Sequence, residues 1–178
     1  VLAGGVAAGG PASATLDTTV VEFTGDAGDA LTHGVPRSFA PPATAVDATG
    51  TDTAVQVAVG GAEPWTFVFQ APDSQTLTVG TTYTAVKPAD MTGPSAGFDL
   101  SNADTTCTTV NASFTVLDLA TDPDTGAVTG FAAQFTSKCD GSGTQDSVTP
   151  ASPTGPVMMG ESVEPLPSSL VPAPLVPA

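Results

Sequence analysis

Residues 54–59 read AVQVAV and residues 65–70 read WTFVFQ, and in both segments every second side chain is large and apolar. Val55, Val57 and Val59 fall on one face of the first, and Trp65, Phe67 and Phe69 on one face of the second. A period of two is the signature of a pleated strand with one buried face; a helix needs apolar residues three and four apart. The GGAEP stretch between them is turn sequence, so the pair reads as a hairpin that supplies much of a core. Turn signals recur every 8–12 residues along the chain, as in sandwiches and barrels. Helix formers are scarce, with four Glu, two Lys and one Arg against 28 Thr. At 178 residues one domain is the default. The expected fold is all-β: an antiparallel β-sandwich, Ig-like or jelly-roll-like, over residues 15–164, with extended apolar arms at 1–14 and 165–178.

Further strands are expected at 18–24, at 75–79 and 82–87 around a turn at Gly80, and at 97–101. Residues 37–40 read as a short edge strand stopped by Pro41-Pro42. The longest strand-like stretch, 107–119, is followed by the turn Asp122-Pro123-Asp124-Thr125-Gly126 and a return over 127–138. Phe131, Ala133 and Phe135 share one face of that return, and Gly126 supplies the positive φ the turn needs. A last strand is expected within 156–163. Cys107 and Cys139, the whole thiol inventory, stand at the open end of this hairpin. With no Cys-x-x-Cys and one distant histidine, the pair reads as a disulfide rather than a metal site. Closing a loop of about 33 residues stabilises a fold by roughly 3–4 kcal/mol and belongs to an oxidising, extracellular setting.

Eighteen acids stand against three cations, Arg37, Lys87 and Lys138, for a net charge of −15. No basic stripe exists to meet phosphates, which excludes nucleic acid and anionic membrane surfaces. No apolar run reaches the roughly 18 residues of a membrane helix, so no membrane insertion is expected. Residues 1–14 are an uncharged Gly/Ala/Val run ending in Ala12-Ser13-Ala14, the small-x-small form of a signal-peptidase site. They read either as the back half of a secretion signal or as a retained arm. As an arm, Val1, Leu2 and Val6 would add as an extended strand to a neighbour's sheet edge. The Pro-rich tail cannot form a helix or a central strand. Its Leu166, Leu170, Val171, Leu175 and Val176 would lie along a neighbour's groove, or the tail is a linker. A head-to-tail contact of this kind does not close on itself and builds a filament.

Residues 107–141 carry a resemblance. Cys107-Thr108-Thr109-Val110-Asn111-Ala112-Ser113-Phe114-Thr115-Val116 looks like a Cys-Asn element followed by a Gly-Ser-Phe-Thr-Val strand. Phe131-Ala132-Ala133-Gln134-Phe135, then Lys138-Cys139-Asp140-Gly141, looks like a Phe-Ala-Ala-x-Phe strand ending in His-Cys-Glu-Gly. Upstream, Gly25-Asp26-Ala27-Gly28-Asp29 looks like a Pro-Gly-Asp loop; Trp65, Ala71-Pro72 and Leu77 to Tyr83 look like a "W…F.AP…L..G.Y" block. Pro156-Val157-Met158-Met159-Gly160-Glu161 looks like a closing Pro-Ala-Leu-x-Gly-Glu strand. Together these resemble a family of secreted, disulfide-bonded β-sandwich domains of unknown function, common in high-GC Gram-positive bacteria. The resemblance spans residues 16–164 and implies a sandwich, a disulfide and export, with no known reaction. The chain departs from the family at Asp104-Thr105-Thr106, where a Gly-Arg-Gly is usual, at Lys138, where a His is usual, and in an extra stretch over 142–154.

Catalytic groups are few. His33 is the one histidine, on a loop with Asp26 and Asp29, and no Gly-x-Ser-x-Gly elbow is present. Asp99, Asp104 and Asp118 are carboxylates near the cysteine hairpin, but a glycosidase needs two held at a set separation, which spacing does not give. No enzyme is expected. No cofactor is expected either, with calcium the one ion the pattern admits. Its candidate ligands are Asp26 and Asp29 in a Gly loop, and Asp122 and Asp124 in a turn that carries a fragment of a calcium loop. Trp65 and Tyr83 are residue types that stack on sugars, although Trp65 is in phase with the core residues Phe67 and Phe69. Asn111-Ala112-Ser113 fits the glycosylation sequon. The expected function is a non-enzymatic, secreted structural subunit at the cell surface that assembles with copies of itself into a filament or surface layer. The alternative is a carbohydrate-binding or adhesion module for cell-wall polysaccharide.

Overall fold

The computed structural model describes residues 19–140 and the backbone of two further short strands. In chain order the strands are β1 (Val20–Phe23), β2 (Arg37–Phe39), β3 (Val46–Thr51), β4 (Ala54–Val59), β5 (Trp65–Gln70) and β6 (Thr82–Val86). They continue with β7 (Ala96–Asn102), β8 (Val110–Thr121), β9 (Val128–Cys139), β10 (Asp146–Val148) and β11 (Met158–Met159). One 3₁₀ turn at Pro88–Asp90 is the only helical element among the described residues. The arm residues Val1, Leu2, Val6, Leu166, Leu170, Val171, Leu175 and Val176 lie outside the described residues.

The all-β expectation holds. The strands form one continuous mixed sheet in the order β2-β1-β11-β9-β8-β6-β7-β5-β4-β3, with β10 also on β9. Three pairings are parallel, β1 with β11, β11 with β9 and β6 with β7, where an antiparallel arrangement was expected. The sheet curls into a barrel-like body, and its end strand β3 comes within 8 Å of β9, Cα to Cα.

The expected hairpin forms, with Val57 opposite Phe67 and Val59 opposite Trp65. All six apolar residues of that pattern are buried. Phe69 is the hub: its ring lies 5.3 Å from Phe98, 5.3 Å from Phe114 and 5.1 Å from Phe131, centroid to centroid. Such tilted and edge-on contacts between aromatic rings add to the stabilisation from burial itself.

Three segments depart from expectation. Residues 75–79 are not a strand. The Leu77 amide donates to the Asp52 carbonyl and the Thr78 amide to the Tyr83 hydroxyl, so these donors go to separate places and form no ladder. β3 was not anticipated, because in VDATGT only Val46 is buried and the alternation has little apolar amplitude. Its Gly50 has φ +125°, and a Cβ there would sit 2.1 Å from the Ala54 carbonyl oxygen, so the turn into β4 requires glycine. β10 falls inside the 142–154 stretch, where no strand was expected, with Val148 opposite Phe135.

The long hairpin of β8 and β9 runs from Val110 opposite Cys139 to Thr121 opposite Val128. A register shift between Val116 and Asp118 leaves Leu117 as the extra residue on β8, and on β9 the consecutive residues Phe131, Ala132 and Ala133 are all buried. The Cys107–Cys139 disulfide forms at the open end, with Cα atoms 5.2 Å apart. Cys107 precedes β8 rather than beginning it, so the bond fastens the incoming loop to the last residue of β9. Lys87 reinforces that loop by donating from Nζ to the Cys107 carbonyl. Replacing both cysteines by alanine is expected to lower stability by roughly 3–4 kcal/mol in urea titration. An unchanged midpoint would show that the loop is held without the bond.

Candidate functional site

The start of β5 and the end of β7 meet, with Trp65 opposite Asn102 in register. Loops at 31–33, 60–64 and 103–105 and the first residue of β2 surround this corner, leaving a cleft of about 210 Å³. Its polar lining is His33, Arg37, Glu63, Asn102, Asp104 and Thr105, and its apolar lining is Leu31, Ala62, Trp65 and Ala103.

Each side chain has a local cause. Trp65 is 2 % exposed and wedged edge-on against Phe23, ring centroids 4.8 Å apart. The Arg37 guanidinium carbon lies 5.7 Å from the Trp65 ring centre, a cation–π contact. Arg37 also donates from Nη1 to Glu63 Oε2 and forms an ion pair with it. Asn102 closes the neighbouring turn: its Oδ1 accepts from the Asp104 amide at 3.0 Å and the Thr105 amide at 2.8 Å, which holds Asp104 exposed at the rim. Two donors are left over. Arg37 Nε and Trp65 Nε1 are both buried and have no hydrogen-bond partner among the described residues.

The histidine loop is shaped by Asp29, which is 1 % exposed. Its carboxylate accepts from the Thr32 hydroxyl at 2.6 Å and from the Thr32 amide, and its carbonyl accepts from the His33 amide at 3.0 Å. This buries Leu31 beneath the cleft and sets the exposed His33 at its edge with φ +54°. Asp29 is therefore a capping residue of its loop, and Asp26, three residues earlier, is exposed.

At the second calcium candidate, Asp122 Oδ1 accepts from the Thr125 amide at 2.8 Å, the Thr125 hydroxyl at 2.9 Å and the Asp124 amide at 3.0 Å. Those bonds, the Thr125 amide foremost, hold its carboxyl below the ordinary value. The acids here organise a hairpin turn, with Asp124 exposed. Among the described residues no three His, Cys, Asp or Glu side chains converge on a point where an ion would sit.

The three carboxylates near the cysteine hairpin stand on different elements. Asp99 is opposite Val68 within β7, Asp104 is at the cleft rim, and Asp118 is opposite Ala132 at the β8 register shift. Neither aromatic considered for sugar stacking is available for it. Trp65 is in the core, and Tyr83 is 8 % exposed with its hydroxyl donating to the Thr76 carbonyl. The grouping of Arg37, Glu63 and Asn102 was not anticipated. The one signal for it was an arginine in a chain with so few cations, on a segment read only as an edge strand.

Asp99 is the buried carboxylate with a strained electrostatic position. Its Oδ1 has no partner among the described residues, and burial raises its pKa above the ordinary 3.8 against the opposing pull of Lys87 and the Leu100 amide. A raised folded-state pKa penalises the ionised form in the fold. The penalty is present above the folded pKa and disappears below the unfolded one. Asp99→Asn is therefore expected to raise the thermal midpoint at neutral pH, with the gain shrinking as pH falls through the carboxylate range. A pH-independent change would contradict this.

No protein-family model, no curated protein and no solved structure matches the chain, so its family resemblance rests on the motifs quoted from the sequence.

Proposed function

We propose that the chain is a non-enzymatic, exported structural subunit that joins copies of itself head to tail through residues 1–14 and 165–178. The observation that carries this reading is the parallel pairing of β1 with β11, Val20 opposite Met158 and Val21 opposite Met159. Parallel neighbours point the same way. The chain before Val20 and the chain after Met159 therefore leave this strand pair in opposite directions. Exits in opposite directions suit heterologous contacts between copies, which extend as a filament where the rotation between copies does not close into a ring.

Charge supports the same reading. Neither segment holds a charged side chain, whereas the whole −15 lies in the residues between them. Globular faces of two copies repel, and attraction is left to the uncharged segments through backbone pairing and apolar contact. In this reading the curled sheet is a β-sandwich whose layers are bridged by β6, which pairs with β7 on one side and β8 on the other. The disulfide is compatible with export to an oxidising compartment, and membership of the secreted family belongs to the same proposal.

Deleting residues 1–14 or 165–178 is expected to leave a monomer with unchanged circular dichroism and thermal unfolding that no longer forms particles in negative-stain images or sedimentation. Undiminished assembly after both deletions would sink the proposal. Added salt is expected to strengthen assembly of the full chain by screening repulsion between bodies; dissociation by salt would count against the segments as the joint.

A further inference from the structure

We propose that the unpaired edge of β3 receives residues 1–10 of a second copy as an added strand. This rests on the head-to-tail reading above and names the receiving surface, which that reading leaves unassigned. The sheet order ends in two edge strands, β2 and β3, and they are not alike. β2 has three residues, lies between Pro36 and Pro41-Pro42, and begins with Arg37. Short length, prolines and a cation are usual means of keeping an edge from pairing with another chain. β3 has none of these. It runs for six residues without proline or cation, and Asp47, Thr49, Gly50 and Thr51 are exposed.

The backbone groups it offers follow from its one neighbour. Among the described residues β3 pairs with β4 alone. Just before the strand, the Gly60 amide donates to the Ala45 carbonyl at 2.9 Å. Residues of an antiparallel strand alternate between bonding to the neighbour and turning both backbone groups away from it. Continued along β3, this alternation gives Asp47, Thr49 and Thr51 to β4. It turns the N–H and C=O groups of Val46, Ala48 and Gly50 to the free side.

The occupant is selected by what an added strand needs. Backbone pairing requires an unbroken run of N–H groups, and each proline removes one. Residues 165–178 hold five prolines and no proline-free run longer than four. Residues 1–10 hold no proline and exceed the six residues of the edge. With a period of two, Leu2 and Val6 fall on one face. Placed inward, that face continues the apolar side of β3, where Val46 is buried and Ala48 packs against the core. Residues 1–10 also bring no charge to a body carrying −15, and β3 itself holds one acid, Asp47.

Hydrogen exchange on the unaltered full chain tests this without a substitution. The amides of Val46, Ala48 and Gly50 are expected to exchange about tenfold or more slowly in the assembled state than in dilute monomer. Unchanged rates would overturn the proposal. So would slow exchange at every concentration, which would mean that the same copy's residues 1–10 cover the edge. Ala48→Pro removes an N–H on the free side and none bonded to β4, so it is expected to stop assembly with circular dichroism unchanged. Mixed with the chain lacking residues 1–14, the Ala48→Pro chain is expected to form a dimer in sedimentation, one copy supplying the segment and the other the edge. If deletion of 1–14 abolishes assembly but Ala48→Pro assembles as the unaltered chain does, the choice of edge falls and the head-to-tail reading stands. If assembly survives the deletion, that reading falls and takes this proposal with it.

Discussion

Phe69 is where the two halves of the curled sheet hold each other. It stands on β5, and its ring meets Phe98 on β7, Phe114 on β8 and Phe131 on β9. Phe67, two residues away on the same face, reaches Phe135 of β9 and Phe23 of β1. With eight phenylalanines and few long aliphatic residues, the chain closes its sheet through interlocked rings. Everything peripheral depends on that closure. It sets β1 and β2 beside the start of β5, and so gathers Arg37, Trp65 and Phe23 at one corner.

Charge is arranged around this core in a consistent way. Most acids lie at the surface, where mutual repulsion favours solubility. Among the described acids that are not fully exposed, Asp29 caps its loop through Thr32, Asp122 closes its turn through Thr125, and Asp99 sits half-buried near Lys87. Each of the three cations has a distinct place. Arg37 lies over Trp65, Lys87 fastens the Cys107 loop, and Lys138 is exposed on β9 opposite Asn111.

The fold was legible where the alternation had amplitude. Val55, Val57, Val59, Trp65, Phe67 and Phe69 announce both their strands and their burial, and the Cys107–Cys139 pairing follows from their placement at a hairpin's open end. It was illegible where small residues blur the pattern, as in β3, whose strand character comes from its neighbour β4 rather than from its own side chains. The parallel contacts of β11 with β1 and β9 were also hidden, because Met158 must meet both Val20 and Ala132 from a distant stretch and local sequence carries no trace of either partner. The cleft was hidden for the same reason. Arg37, the Glu63–Trp65 segment and Asn102 come from three separate stretches, and only the closed sheet puts them together. Asp26 and Asp29 show a second use of such acids: they read as ion ligands in a glycine loop, and the fold employs Asp29 as a buried cap.

The parallel pairing of β1 and β11 also has a mechanical meaning. Tension applied between the chain entering β1 and the chain leaving β11 acts along both strands in opposite senses. The inter-strand hydrogen bonds are then loaded together, in shear, instead of being opened one after another from an end, as they would be in a hairpin pulled at its two termini. β1 is further gripped by β2, and β11 by β9, so the load passes into the body of the sheet on both sides. Force applied at these two points is borne first by the paired positions Val20–Met158 and Val21–Met159, side by side rather than in succession.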